Sequence, residues 1–359
     1  MSTKILFIAT PSILLYASSI KNCFSDLGYD VYEPEYIKFV DQNPIQKKLN
    51  RKNFLTKFFN MQGKKFIEAT QQYKPDFIFV INNGRMSEIF LQYCNNNNIP
   101  VYMYCIDSIK WCDKALDYMH YYTDIFSYEP SDTKIMFRKN QYVKFIPIGF
   151  DSKIYFPSKG SNPPQYDICF VGRLEKRRLE ILEQVAKYAS LNNRSFIVYT
   201  SIQLSNIKHF WLIPKLLVRR IKYNIKYKHL MKCIVNKPII GKDLVNLYHQ
   251  SKICLNIHVG THSGMHTGPN PRTFELLACE CFEIIDKGHI EDLCLQNKKD
   301  LIEISDIESL ISNIDYYLKH DDERRKIAEH GCQTVTKNYE LKLIIKQIEK
   351  YINTHMLKD

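Results

Sequence analysis

The sequence predicts an α/β chain of two doubly wound domains, and three observations carry that prediction. Short apolar runs rich in β-branched and aromatic residues recur along the chain, segments of helical period separate them, and one stretch of turn composition divides the series in two. Continuous apolar strands alternating with helices imply parallel pairing with both sheet faces covered. A length of 359 residues fits two domains. With 45% hydrophobic and 13% aromatic residues it can bury their cores, which excludes a disordered or fibrous chain.

In the first half the strands are KILFIA (4–9), DFIFVIN (76–82), VYMYCI (101–106) and VKFIPIG (143–149), and Ile13, Ala17, Ile20, Phe24 and Leu27 share the buried face of a helix. DSKIYFPSKGSNPPQY (151–166) reads as the joining loop. The pattern restarts at DICFVG (167–172) and continues through SFIVY (195–199), KICLNI (252–257), FEII (282–285) and DLIEI (300–304). The domains are therefore expected at 1–155 and 156–338. A closing helix over 339–359, with Leu341, Ile344, Ile345, Ile348 and Ile352 on one face, is expected to pack back on the first domain. Ligands of open parallel sheets bind at the carboxyl ends of the strands, so the cleft between two such domains is the expected site.

Eleven cysteines, scattered through apolar contexts without paired zinc-ligand spacing, predict reduced thiols in a cytoplasm. Pro11 breaks the apolar amino terminus, and no apolar run approaches the roughly 20 residues that span a bilayer. A net charge of +12 points to anionic partners.

Two fragments carry chemistry. In GPNPRTFELLACECFEIID (268–286), Arg272 and Glu275 sit at the start of a helix whose first-turn amides are predicted to face the cleft, where an anion is favoured. Glu275 would oppose a phosphate there, and its other use is to accept from a neutral diol such as a ribose. By themselves these residues leave open the plainer reading, in which Glu275 supports the helix start and Arg272 caps a surface loop. In DICFVGRLEKRRLEIL (167–182), a strand ends at Gly172 and is followed by Arg173, Arg177 and Arg178. Forked guanidinium donors suit phosphate oxygens, and the glycine leaves them room.

Gly172-Arg173-Leu174 with a basic residue five positions after Arg173, followed downstream by RTFELLAC (272–279), resembles the group-1 glycosyltransferases, and most closely their CgeB-type branch. GKDLVNLYHQSKICLNIH (241–258) and DIESLISNIDYYLKHDDERRKIAEHG (306–331) match the same pattern. The resemblance covers nearly all of 143–350, and the first 140 residues share only the layout. It implies a GT-B fold, two Rossmann-like domains facing across a cleft, with a nucleotide-sugar donor held by the second. On that resemblance Arg173 and Arg178 neutralise the donor diphosphate, Glu275 binds the ribose, the backbone at Ile240 meets the base, and Gly172, Arg272 and Thr273 complete the donor site. Many relatives carry a second glutamate where this chain has Thr267, and a glycine-rich first loop where it has ATPSILLYAS, so sugar and acceptor are not specified.

The acceptor is expected to be a glycan, a lipid-linked glycan or a protein, in cell-surface glycan synthesis. Arginines and helix-end amides are expected to stabilise the leaving group without a metal or other cofactor. An inverting reaction also needs a base from the first domain. Asp107, at the end of its strand, is the candidate, with His120 behind it and helix capping as the alternative role for Asp107. His258, His262 and His266 recur every four residues, but the glycines among them disfavour a helical metal site. A sugar-nucleotide epimerase of the same architecture stays open. Nucleic-acid binding is disfavoured for want of a recognisable reading motif. KHFWLIPKLLVRRIKYNIKYKHLMK (208–232), with Lys215, Arg219, Lys222 and Lys226 on one helical face, fits either a helix lying on an anionic membrane or a solvated domain surface.

Overall fold

The structure, a computed structural model, describes residues 2–9, 14–35, 51–82, 86–111, 116–158, 160, 163–200, 225–258, 268 and 270–356. The chain divides into two compact units, Met1–Ile148 together with Leu341–Asp359, and Gly149–Glu340. The divisions thus fall at 148/149 and 340/341 rather than at 155 and 338.

The first unit holds β1 (Lys4–Ala9), β2 (Asp30–Tyr32), β3 (Phe77–Asn82), β4 (Val101–Cys105), β5 (Asp124–Ser127), a small antiparallel pair β6 (Met136–Arg138) and β7 (Gln141–Tyr142), and β8 (Lys144–Phe145). Its six-stranded sheet runs β2-β1-β3-β4-β5-β8, parallel throughout. Alternate side chains serve opposite faces, as the two-residue strand period requires. Val101, Met103 and Cys105 of β4 join one core with Leu6, Ile8 and Phe90, while Tyr102 packs edge-on to Phe77 on the other face. The strand expected over 143–149 shrinks to Lys144–Phe145. Pro147 has no amide for the ladder, and Gly149 turns the chain away with φ of 72°.

The helix Leu341–Met356 belongs to this first unit. Its residues Leu341, Ile344, Ile345, Ile348 and Ile352 are buried. Glu349 accepts a 2.6 Å bond from the Tyr29 hydroxyl, and Tyr351 packs on Phe126 under the Lys144 ammonium.

The second unit holds β9 (Tyr166–Val171), β10 (Phe196–Thr200), β11 (Ile234–Asn236), β12 (Ser251–Asn256), β13 (Glu283–Asp286) and β14 (Ile302–Ile304). The order β11-β10-β9-β12-β13-β14, again parallel, reverses direction between β9 and β12. Ile168 and Phe170 of β9 face one core, Cys169 and Val171 the other. Burying each such side chain contributes about 1.5–3 kcal/mol, so a sheet covered on both faces needs the uninterrupted apolar strands that the sequence shows. In open parallel sheets such a reversal is where a ligand crevice is expected, here at the carboxyl ends of β9 and β12.

Candidate functional site

Gly172 follows β9 directly, at the crevice. A Cβ there would lie 3.0 Å from the Phe170 ring, which would have to give way slightly, and 3.4 Å from Arg178 Nη1, an ordinary contact. Arg178 turns inward and is buried. It stacks over Phe170, Nε donates to the Ile257 carbonyl at 2.8 Å, and Nη1 donates to the Arg173 carbonyl at 2.9 Å. It therefore ties the ends of β9 and β12 together. Burial and the neighbouring Arg272 lower its pKa to about 10, which leaves it charged at neutral pH. Arg173, by contrast, is exposed.

Arg177 spans to the next strand. Its guanidinium donates to both carboxylate oxygens of Asp286, at 2.6 and 3.3 Å, and to the His258 carbonyl at 2.8 Å. Asp286 also accepts from the His258 amide at 2.5 Å. Despite burial, these partners hold its carboxyl well below the usual range. The basic residues of this helix start thus already have internal partners, so no bound anion is required to explain Arg177 and Arg178. The helix Lys176–Leu191 is capped as well, because Glu175 accepts from the amides of Arg177 and Arg178.

The same holds for the helix Pro271–Ala278, where the sequence predicted open first-turn amides. Asn270 caps it by accepting from the Arg272 amide at 3.0 Å. Arg272 donates to the Val171 carbonyl and, at 3.2 Å, to the Tyr248 hydroxyl. It is therefore a strut from helix to strand end and not the cap of a surface loop. Glu275, one turn on, lies beside Arg272 and within electrostatic reach of the hydroxyls of Tyr155 and Tyr248. Burial pushes its carboxyl up, against the pull of Arg272 and the two phenols.

Thr273, which the resemblance placed in the donor site, is fully buried. Its hydroxyl donates to Glu283 at 3.1 Å and accepts from Asn256 at 3.0 Å. Asn256 also donates to Glu283 at 2.6 Å and accepts from Asn270 at 2.8 Å. This network fixes the start of the helix to β12 and β13 from below. Burial pushes the Glu283 carboxyl up to about 7, and its Oε2 has no partner. Ile240 precedes the helix Gly241–His249, extended, exposed and without a side-chain cap.

In the first unit Asp107 follows β4 at the carboxyl edge of the sheet. It lies close enough to Tyr128 to raise that phenol, together with burial, Glu129 and Asp132. The loop is held from beneath by Asp132, fully buried, which accepts from the Ser108 hydroxyl (2.8 Å), the Ile109 amide (2.9 Å) and the Ser127 hydroxyl (2.7 Å). His120 is not part of that edge. Thr123 donates to the Val101 carbonyl, where β4 begins, so the 3-10 turn Leu116–Tyr121 lies at the amino edge of the sheet, and the His120 ring packs on Tyr121.

Among the described residues one group has metal-ligand composition, His258, Asp286 and His289, with ligand atoms within 4.8 Å of one another. The two imidazoles stack 3.5 Å apart at 8°. Lone pairs lying in parallel planes cannot converge on an ion about 2.0 Å from both nitrogens, and Asp286 is already shared with Arg177. Burial lowers the His258 pKa to about 4, with His289 and Arg178 adding to the effect against Asp286. His262, His266 and Thr267 lie outside the described residues, as does most of the basic stretch 208–232. At its described end Lys226 pairs with Glu180 at 3.4 Å, while Tyr227 and Leu230 are buried in the core of the unit. Among the described residues no helix is long and apolar enough to cross a membrane, and the ten described cysteines are free thiols.

Sequence reasoning missed Tyr155, Tyr248, Asn256, Glu283, Asp286 and Asp132. Three of them carried a readable signal, a polar residue inside or at the end of an apolar strand: Asn256 in KICLNI, Glu283 in FEII, and Asp286 directly after it. The tyrosines had none.

Residues 177–350 match the family described as "Glycosyl transferase-like". Spore protein CgeB of Bacillus subtilis is 18% identical over 268 residues, 72% of this chain and 77% of that protein. A sucrose-phosphate synthase from Thermosynechococcus elongatus superposes with a TM-score of 0.68 at 11% identity, covering 99% of this chain and 100% of the other. HepE of Anabaena, in complex with UDP-glucose, gives 0.66 at 11% identity, covering 98% and 99%.

Proposed function

We propose that the chain is a group-1 glycosyltransferase of GT-B fold, on the CgeB-type side, and that it transfers a sugar from a nucleotide-sugar donor bound at the second unit's crevice to a glycan, lipid-linked glycan or protein acceptor. The observation that carries this reading is the gathering of Arg173, Arg178, Arg272 and Glu275 around Gly172, where the strand order of that sheet reverses. Arg173 is the exposed cation for the diphosphate. Arg178 fixes the backbone that presents it and adds its charge from beneath. Glu275 accepts from the ribose diol, with Arg272 beside it, and the base lies against the backbone at Ile240. Thr273 serves the site from below by holding the helix.

In the reaction the acceptor hydroxyl oxygen bonds to the anomeric carbon, and the bond from that carbon to the diphosphate oxygen breaks. The electron pair leaves with the nucleoside diphosphate, and Asp107 takes the acceptor proton. Charge on the leaving group grows along this path, so fixed cations act most strongly at the transition state, and we assign that part to arginine rather than to a metal or other cofactor. We further propose a cytoplasmic protein, peripheral on the membrane through the basic stretch 208–232, acting in cell-surface glycan synthesis. Liposomes of graded anionic-lipid content test the last point.

The test of the reaction class is product release. Free nucleoside diphosphate is expected only when acceptor is present. A sugar nucleotide isomerised without acceptor would replace this reading by an epimerase.

A further inference from the structure

The helix Arg51–Tyr73 crosses from β2 to β3 in the first unit and so runs antiparallel to both. Its last residue marks the amino edge of the sheet. The Tyr73 hydroxyl donates at 2.8 Å to the carbonyl of Asp30, where β2 begins, and the ammonium of Lys4, where β1 begins, lies 5.3 Å from its ring. Gly63 marks the opposite edge. A Cβ there would collide with the Ser87 side chain and lie 2.9 Å from Ile89 Cγ1, and Ser87 precedes the helix Glu88–Asn96, past the carboxyl end of β3. The residues before Gly63 therefore stand at or beyond that carboxyl edge. At 1.5 Å per residue Lys57 lies about 24 Å along the axis from Tyr73, against about 20 Å for a strand of β3's length. Asp107, the base assigned above, follows β4 on the same edge, and β4 is the neighbour of β3.

Phe66, Ala69 and Thr70 of this helix are buried, with Phe66 packed on Phe90 at 5.4 Å, and Lys57, Met61, Lys64 and Lys65 are exposed on its outer face. Among the described residues no carboxylate pairs with any of the three lysines. The sequence has no acid between Asp41 and Glu68. Clustered like charges repel one another, so a bound anion supplies a reason for them. A helix that enters a bilayer needs its apolar face free. Here that face is spent on the core, and Met61 is the one exposed large apolar side chain on the described part of the helix. The surface therefore suits an anion held by charge. Lys57 and Lys64 lie about 10.5 Å apart along the axis, so a chain of repeated charges meets all three lysines where a single small anion does not. We propose that the acceptor is an anionic glycan, bearing phosphate or carboxylate groups, and that Lys57, Lys64 and Lys65 hold its chain at the edge that carries Asp107. The inference rests on the reading that the first unit takes the acceptor, and it names the acceptor's chemical class.

The experiment is calorimetric titration of the full-length protein, over a series of salt concentrations, with inorganic polyphosphate, with alginate as a carboxylate-bearing glycan, and with neutral dextran. Wild type is compared with the triple variant Lys57→Gln, Lys64→Gln, Lys65→Gln and with a charge-matched triple of exposed lysines on the second unit, Lys299→Gln, Lys326→Gln, Lys337→Gln. Wild type and the second-unit control are expected to bind both polyanions and not dextran. In the helix variant the slope of log affinity for polyphosphate against log salt concentration is expected to shrink by about 2, as the loss of three phosphate contacts implies. Its affinity for UDP is expected to match wild type. Polyanion binding equal to wild type, or an equal loss in the control, overturns the proposal. Vesicles of phosphatidylglycerol that tell wild type from the helix variant when the polyanions do not would assign the face to a membrane instead. Failure of wild type to bind any of UDP, ADP and GDP would overturn the transferase reading, and with it the acceptor role, whatever the polyanions show.

Discussion

The two sheets follow one building rule and end in opposite chemistry. In the first unit the carboxyl edge beyond β4 and β5 is acidic and rich in hydroxyls: Asp132 and Glu129 are fully buried, Ser108 and Ser127 point at Asp132, and Asp107 follows β4 near Tyr128. In the second unit the matching edge is cationic, with Arg178 and Arg272 donating to strand-end carbonyls, Arg177 on Asp286, and Arg173 exposed. Both edges use a buried polar side chain to fix a backbone, Asp132 by accepting three hydrogen bonds and Arg178 by donating two. The difference shows that the parallel sheet settles where a site forms, while the side chains just past each strand end settle what it can bind.

The largest effect expected from breaking this contrast is at Arg173. Its replacement in Arg173→Ala removes the exposed cation proposed to face the leaving group, and loss of such a preorganised donor costs about 2.7–4 kcal/mol, roughly a hundredfold to a thousandfold in kcat. Steady-state kinetics should show kcat falling more than KM rises. A change confined to KM would make Arg173 a uniform binding residue.

Asp132→Ala attacks the opposite edge. Three buried donors lose their acceptor, at about 1–3 kcal/mol each before relaxation, so urea unfolding should show a stability loss of at least about 2 kcal/mol. UDP affinity should survive wherever the variant remains folded. Equal loss of UDP affinity and stability would erase the distinction between the two edges.

A subtler effect is expected at Glu283. Its folded pKa near 7 lies above the ordinary 4.5, so the neutral acid is the form that suits the fold. Stability linked to this group is fully present below about pH 4.5 and is lost as pH rises through about 7. In Glu283→Gln that loss should disappear, leaving the variant roughly 1–3 kcal/mol less sensitive to a change from pH 5 to 8. Parallel pH profiles for the two proteins would place the titration elsewhere.

How much of this was readable in the sequence depends on what each residue answers to. Continuous apolar strands such as KILFIA and KICLNI are fixed by burial on both faces, a local pattern, and the structure places them within a residue of their predicted bounds. The short strands Asp30–Tyr32, Asp124–Ser127 and Ile234–Asn236 escaped because their hydrogen bonds come from neighbours distant in sequence and their own residues alternate too briefly. The pairing of Arg272 with Glu275 at a helix start was legible, since capping and charge are local. Their surroundings were not: Tyr155 and Tyr248 come within electrostatic reach of Glu275 only because the fold brings three separate segments together. Arg178 was legible as a cation beside Gly172, but its inward direction follows from the Ile257 and Arg173 carbonyls, which no pattern announces.

The central claim, that the donor sits on the cationic edge and the acceptor is activated from the acidic one, is tested most directly by UDP affinity in two variants measured side by side. Glu275→Gln should bind UDP about tenfold to a hundredfold more weakly, the worth of about 1.5–3 kcal/mol for hydrogen bonds to a charged group, while Asp107→Asn binds like wild type and loses turnover. Unchanged affinity in a folded Glu275→Gln protein, or weakened UDP binding in Asp107→Asn, would contradict it.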